Sequence, residues 1–110
     1  METIRQGTVE VLTLVEAITG DVAIALEEQL RRFSEQGVPR VVVNMQQVPV
    51  LDSSALEFLL AAKEDFERRG GNLKLVSPSE LCRHILEITG LDLQFEILSD
   101  NKTAVGSFAR

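Results

Sequence analysis

The chain has 110 residues, which is enough for one domain and too short for two. Hydrophobic residues make up 45% and charged residues 25%, so a core can form without disulfides or metal. The net charge of -6 and the scattering of the 11 basic residues argue against binding to nucleic acid.

The first half of the chain alternates between strand and helix patterns. A weak edge strand is predicted at Thr3–Arg5, and the alternating apolar residues of Val9–Val15 predict a stronger strand. A Thr-Gly-Asp turn at 19–21 offers a helix cap, and apolar residues then recur at helical spacing: Val22, Leu26, Leu30 and Phe33. Arg40–Met45 follows as a strand with three consecutive valines, which predicts that both of its faces are buried.

The second half continues the alternation. A long helix is predicted at Ser54–Arg69, and a strand follows at Asn72–Val76. A third helix is predicted over 78–90, where a proline opens it and a glycine closes it. A short strand at Phe95–Ile97 and a terminal helix at Asp100–Phe108, capped by Asp100 or Ser99, complete the chain. This order predicts an α/β domain with a largely parallel or mixed sheet of four to five strands and about four helices.

Apolar spacing also predicts which side of two helices faces the core. In the helix at Ser54–Arg69, the predicted core residues are Leu56, Leu59, Leu60 and Phe66. In the third helix, one side is predicted to carry Leu81, Ile85, Leu86 and Ile88. His84, the only histidine, then falls on the exposed side of that helix.

The cysteine content and the lack of long apolar runs limit the cellular setting. Cys82 is the only cysteine, which excludes an internal disulfide and makes a metal framework unexpected. No apolar run approaches the roughly 18 residues of a membrane span, and no signal-peptide pattern opens the sequence. We therefore expect a cytoplasmic protein with no metal, no cofactor and no direct insertion into a membrane.

The most informative turn is Asp52-Ser53-Ser54, which stands between a strand and the start of a helix. A helix start leaves about four backbone N–H groups unpaired, and Asp or Ser side chains are their usual partners. Capping by Asp52 or Ser53 is therefore the simplest interpretation. A phosphoryl group on a serine here would also meet open N–H donors and the positive end of the helix dipole.

Three segments carry a family resemblance: VVVNMQQVPVLDSSALEFLLAA, ERRGGNLKLVSP and LEITGLDLQFEI. In their order and spacing they resemble a STAS domain of the anti-sigma factor antagonist type. The resemblance covers about residues 9–108, and we expect residues 1–110 to form a single STAS domain. The Asp-Ser-Ser motif followed by a small residue and leucine is fairly specific in this setting.

The resemblance implies a phosphorylation-controlled switch and not an enzyme. Family members sequester an anti-sigma factor that is also a serine kinase of the GHKL class, and so free a sigma factor. That kinase phosphorylates the second serine of the motif, here Ser54, and a PP2C-type phosphatase reverses the modification. The partner-binding surface is expected to contain the turn and the first turns of the helix: Leu51, Asp52, Ser53, Ser54, Ala55 and Phe58.

Two positions depart from the family pattern. Ala55 stands where glycine is common, and alanine makes a firmer helix start. Asn44 stands where the strand often ends in Asp, so the charge is absent there. Phe58 and Leu51 also have a second interpretation, as core residues.

Two other functional classes are open to this sequence. An enzyme could use Ser53 or Ser54 with His84 as a base, but there is no G-x-S-x-G elbow and no glycine-rich phosphate loop. The stronger alternative is a STAS accessory subunit of a membrane transporter of the lipid-type ABC class, or of a stress-signalling assembly. In that role the same helix start would dock on an ATPase subunit or on sister domains.

Overall fold

A computed structural model describes residues 1–109 and confirms the predicted α/β order. Five strands and four helices are present in this part of the chain. The strands are β1 (Glu2–Gln6), β2 (Val9–Thr13), β3 (Arg40–Asn44), β4 (Asn72–Val76) and β5 (Ile97–Leu98). The helices are α1 (Gly20–Ser34), α2 (Ser53–Arg68), α3 (Glu80–Ile88) and α4 (Asn101–Ser107), with a 3-10 turn at Leu91–Leu93.

The five strands form one mixed sheet in the order β1-β2-β3-β4-β5. β1 pairs antiparallel with β2, while the pairings from β2 through β5 are all parallel. In the centre of the sheet, Val11 lies opposite Val42, which lies opposite Lys74. Because β2, β3 and β4 run in the same direction, the helices that follow them begin at the same edge of the sheet.

The central strands β2, β3 and β4 are largely buried because helices cover both faces of the sheet, whereas the edge strand β1 is exposed. Helices α1, α2 and α3 pack on the face that carries Leu12, Val43 and Leu75. Helix α4 packs on the other face, against Val11 and Val42. The consecutive valines of β3 are all fully buried, which confirms the prediction of a strand with two covered faces.

Helix α2 follows the predicted apolar pattern, whereas α3 does not. Leu56, Leu59 and Phe66 are buried in the core, and Leu60 packs partly against it. In α3 the buried residues are Cys82 and Leu86, with Ile85 partly buried. The predicted core positions Leu81 and Ile88 are wrong, because both side chains are exposed. Because successive residues of a helix lie about 100° apart around its axis, only the narrow side of α3 that carries Cys82 and Leu86 meets the core.

Several element boundaries differ from the predictions. Helix α3 begins at Glu80 with Ser79 as its N-cap residue, so the prediction that the proline at 78 opens it is wrong. β2 ends at Thr13, so Val15 lies in an exposed loop. β5 occupies Ile97–Leu98, two residues later than its predicted start, and Phe95 before it is buried in the main core. Helix α4 is present and Asp100 caps it, with its Oδ1 oxygen 2.7 Å from the backbone nitrogen of Thr103.

No helix within residues 1–109 has the length and apolarity needed to cross a membrane.

Candidate functional site at the start of helix α2

The loop before α2 is fixed to the loop before α1 by backbone pairing. Ile18 and Leu51 form a parallel β-bridge. The Ile18 N–H donates to the Val50 carbonyl at 3.0 Å, and the Asp52 N–H donates to the Ile18 carbonyl at 3.1 Å. The Asp-Ser-Ser turn is therefore held rigidly beside the start of the neighbouring helix.

The Asp52 carboxylate caps two helices at once. Its Oδ1 oxygen accepts a hydrogen bond from the Ala55 N–H of α2 at 2.8 Å. Its Oδ2 oxygen accepts one from the Gly20 N–H, the first residue of α1, at 2.9 Å. These bonds, first from Ala55 and then from Gly20, hold the pKa of the Asp52 carboxyl below its ordinary value. The carboxylate thus stays ionised and joins two helix starts that are 32 residues apart in the chain.

Only half of this arrangement was predicted from the sequence. Capping of α2 by Asp52 is confirmed. For α1 the prediction placed the cap in the turn at 19–21; Thr19 is the N-cap residue, but its side chain makes no capping hydrogen bond. A signal for the second bond existed, because two helices that follow adjacent parallel strands begin close together and one carboxylate can reach both.

Both serines of the motif are accessible at the helix start. Ser53 and Ser54 are the first two residues of α2, and both are exposed. The cap comes from Asp52, so the helix does not depend on either hydroxyl for its N-terminal partner. Modification of either serine therefore places a charged group in water beside the N–H groups of the first turn.

Two residues predicted to contribute exposed contacts are buried instead. The Leu51 side chain is 3% exposed and the Ala55 side chain is fully covered, both within the main core. The expectation that Leu51 offers apolar surface to a partner is therefore wrong, because its β-bridge to Ile18 turns it inward. Ala55 contributes its backbone N–H to the Asp52 cap, and its methyl group fills core space.

Phe58 has an intermediate position that fits both of its predicted roles. Its ring is half-buried and packs against the main core. It also lines a shallow groove of about 180 Å³ between α1 and α2, whose other apolar walls are Leu30, Ala61, Ala62 and Phe66. The Glu27–Arg31 ion pair and Asp65 lie around this groove. One turn beyond Ser54, α2 therefore offers an apolar recess with a charged rim.

Asn44 lies on the other side of the sheet and has a structural role. Its Nδ2 group donates to the Oδ1 oxygen of Asn101 at 2.9 Å, which ties the end of β3 to α4. Its own Oδ1 oxygen accepts from the Gln46 N–H at 3.0 Å. The amide at this position thus supplies both a donor and an acceptor, which a carboxylate could not do.

The groups around the helix start suit binding and modification. The site supplies one ionised carboxylate and two exposed hydroxyls at the start of a helix. Within residues 1–109, no three His, Cys, Asp or Glu side chains are grouped as metal ligands would be. His84 is exposed on α3, a different helix from the one that carries the serines.

Comparison with known proteins places this geometry in a family. A model of the STAS domain family matches residues 1–104. A search of curated proteins finds no match. Among solved structures, protein TM1081 of Thermotoga maritima, a proposed anti-sigma factor antagonist, superposes with a TM-score of 0.92 at 21% identity. The superposition covers 99% of this chain and 94% of that one.

Two further proteins share the fold. The anti-sigma factor antagonist SpoIIAA, unphosphorylated, superposes with a TM-score of 0.82 at 18% identity, over 94% of this chain and 91% of that one. Its phosphorylated form from Bacillus gives 0.76 at 18% identity, over 96% of each chain. A sulfate transporter family protein from Wolinella succinogenes gives 0.77 at 18% identity, over 96% and 88%. At these identities the likeness establishes the fold.

Proposed function

Because the chain belongs to the STAS domain family, we propose that it is an anti-sigma factor antagonist controlled by phosphorylation of Ser54. The unmodified chain binds an anti-sigma factor, a serine kinase of the GHKL class, and so frees a sigma factor. The kinase phosphorylates Ser54 and the complex separates; a PP2C-type phosphatase restores binding. The observation that carries the proposal is the exposed serine pair at a helix start that a separate carboxylate already caps.

The position of Ser54 suits reversible phosphorylation. It is the second residue of α2, where the helix dipole favours negative charge. A kinase can reach its exposed hydroxyl without opening the core. Ser53 is exposed as well, so the choice between the two serines rests on the family motif and is decided by experiment.

Electrostatics supplies the switch. A phosphoserine carries a charge of about -1.5 to -2 near pH 7. Asp52 is already negative beside it, so the modified helix start presents a concentrated negative charge to any partner. Desolvation and repulsion worth about 3 kcal/mol would weaken binding by roughly 100-fold. The fold of this chain need not change for that to happen.

The attractive part of the interface is assigned to Phe58 and its groove. The ring lies one helical turn after Ser54 and is partly accessible. An apolar side chain of the kinase can enter the recess between α1 and α2, while polar contacts form around the serines. Central, partly preformed apolar sites of this kind often dominate binding energy in protein interfaces.

The test is intact-mass measurement after incubation of the chain with a candidate kinase-type anti-sigma factor and ATP. Wild type is expected to gain one phosphoryl group. The Ser54→Ala variant is expected to gain none, and the matched variant Ser53→Ala is expected to be modified like wild type. Binding of the unmodified forms is measured in parallel without ATP, and all three are expected to bind.

Other outcomes separate the remaining possibilities. Modification that persists in Ser54→Ala and disappears in Ser53→Ala would move the acceptor to Ser53. A stable complex without any phosphoryl transfer would contradict the switch and indicate a docking subunit, such as one that serves a transporter ATPase. Loss of affinity in Phe58→Ala at unchanged melting temperature would support the proposed groove contact.

A further inference from the structure

The outer side of α3 and the turn after it carry an apolar stripe that no other described element covers. Leu81 is 50% exposed, Ile88 is 70% exposed, and Leu93 in the 3-10 turn is 85% exposed. Ile85 lies between the first two at helical spacing and is partly buried. Large exposed apolar residues that occur together mark binding surfaces more often than single ones do.

The stripe is separate from the side of α3 that stabilises the fold. Cys82 and Leu86 face the core and are fully buried. At about 100° per residue, Leu81 and Ile88 lie roughly a quarter-turn or more away from that side. The sheet and its core are therefore complete without the stripe, and folding alone does not account for it.

The charges beside the stripe define what can bind there. On the solvent side of the stripe the helix carries His84 next to Ile88, and then Glu80 and Glu87. Asp92 precedes Leu93 in the turn. Arg83 lies farther round the helix, and the whole chain carries a net charge of -6. A second copy of this chain would bring two acidic rims together, which is unfavourable. A basic rim around an apolar stripe would be complementary.

We propose that this surface, made of Leu81, Ile85, Ile88 and Leu93, binds a basic amphipathic helix of a partner protein. The partner helix lays its apolar side along the stripe, and its Lys or Arg residues meet Glu80, Glu87 and Asp92. This arrangement follows the common mode in which an amphipathic helix buries its apolar residues against a complementary surface. The proposal does not depend on phosphorylation of the serine pair.

The surface is nevertheless connected to the candidate site. The Ser79 hydroxyl, at the start of α3, donates to the Val48 carbonyl at 2.7 Å. The Cys82 thiol also donates to that carbonyl, at 3.4 Å. Val48 belongs to the loop between β3 and α2, which leads to the Asp-Ser-Ser turn. A partner on α3 thus occupies a neighbouring but distinct part of the molecule.

The test uses a synthetic 14-residue peptide of leucine and lysine arranged as an amphipathic helix, with a fluorescent label. Binding to the full chain is measured by fluorescence anisotropy without kinase or ATP. A peptide of the same composition in scrambled order, which cannot form an apolar side, reports non-specific charge attraction. Backbone NMR shifts of the chain locate the binding site.

The expected result is binding of the amphipathic peptide with shift changes confined to residues 80–93. The double variant Ile88→Ser, Leu93→Ser is expected to weaken it at least tenfold at unchanged melting temperature. Glu87→Lys, in the last turn of α3 where a cation suits the helix dipole, is expected to weaken it as well. The matched control Ile24→Ser removes a side chain of similar exposure, 54%, on α1 and is expected to leave affinity within twofold.

Three results would overturn the proposal. One is equal binding of the ordered and scrambled peptides. Another is unchanged affinity in the Ile88→Ser, Leu93→Ser variant. The third is sedimentation as a dimer that this same variant converts to a monomer, since a second copy would then be the occupant. Each can occur whether or not Ser54 is phosphorylated, so the two proposals fail independently.

Discussion

A phosphoryl group on Ser54 is expected to leave the fold of this chain intact. The group adds about -1.5 to -2 charge at the second residue of α2. Each negative charge near a helix N-terminus contributes about 0.3–1 kcal/mol of stability, which gives about 0.5–2 kcal/mol in total. The ionised carboxylate of Asp52, two residues earlier, repels the phosphoryl group and opposes this gain, although solvent and salt screen the repulsion. The net change is therefore expected to lie within about 1 kcal/mol of zero.

The assay compares the chain with and without phosphoserine incorporated at position 54. A change of 1 kcal/mol corresponds to about 4 °C in the melting temperature of a domain of 110 residues. Calorimetry should therefore show a shift no larger than that, of either sign. Backbone NMR shifts should change around the start of α2 and at Gly20, which shares the Asp52 carboxylate. Phosphoserine at position 53 provides the matched control.

A conformational switch would give a different result. A loss of more than about 10 °C, or shift changes that spread to the central strands, would refute the electrostatic reasoning. Val42 and Leu75 are suitable reporters, because both are fully buried on opposite faces of the sheet. If the shifts of Val42 and Leu75 are unchanged while partner affinity is lost, phosphorylation acts at the interface alone.

Three further predictions concern stability. The folded-state pKa of Asp52 lies below its ordinary value of 3.8, so the ionised carboxylate contributes stability above that pH. This contribution is lost as the pH falls through the folded-state pKa. When the pH is lowered through this range, the free energy of unfolding of Asp52→Asn should therefore fall less steeply than that of wild type. Gly71→Ala should destabilise by about 1–3 kcal/mol in urea unfolding, because a Cβ atom would lie 1.9 Å from the Pro39 carbonyl oxygen. Gly106→Ala, in α4 with open space around it, should instead stabilise by about 0.4–1 kcal/mol.

The alternation of elements was predictable because each element carries its own local pattern. For the valines of β3 and the apolar side of α2, the spacing of apolar residues in the sequence is enough to predict burial. The cap of α2 was predictable for the same reason, since Asp52 and the Ala55 N–H it binds are three residues apart. Properties set by neighbours in sequence were thus available from the sequence.

The errors occur where a distant partner decides the outcome. The side of α3 that is buried depends on how the helix meets the sheet, so Leu81 and Ile88 could not be assigned from spacing alone. Leu51 turns inward because it pairs with Ile18, in a loop far along the chain. Lys74 is a further case: it is almost fully buried in β4, where it forms an ion pair with Glu96 and donates to the Ser107 hydroxyl of α4. Sequence alone gives such a lysine no partner.

The Asp-Ser-Ser motif divides its tasks among its three residues, and this division bears on how a switch can work. Asp52 performs the structural task, because its two oxygens hold the first turns of α1 and α2. The serines are consequently released from capping and lie exposed at the helix start. If a serine were the cap, modification of its hydroxyl would remove a helix partner and couple signalling to unfolding. With the carboxylate as the cap, charge can be added and removed at Ser54 while the surface that carries it stays in place.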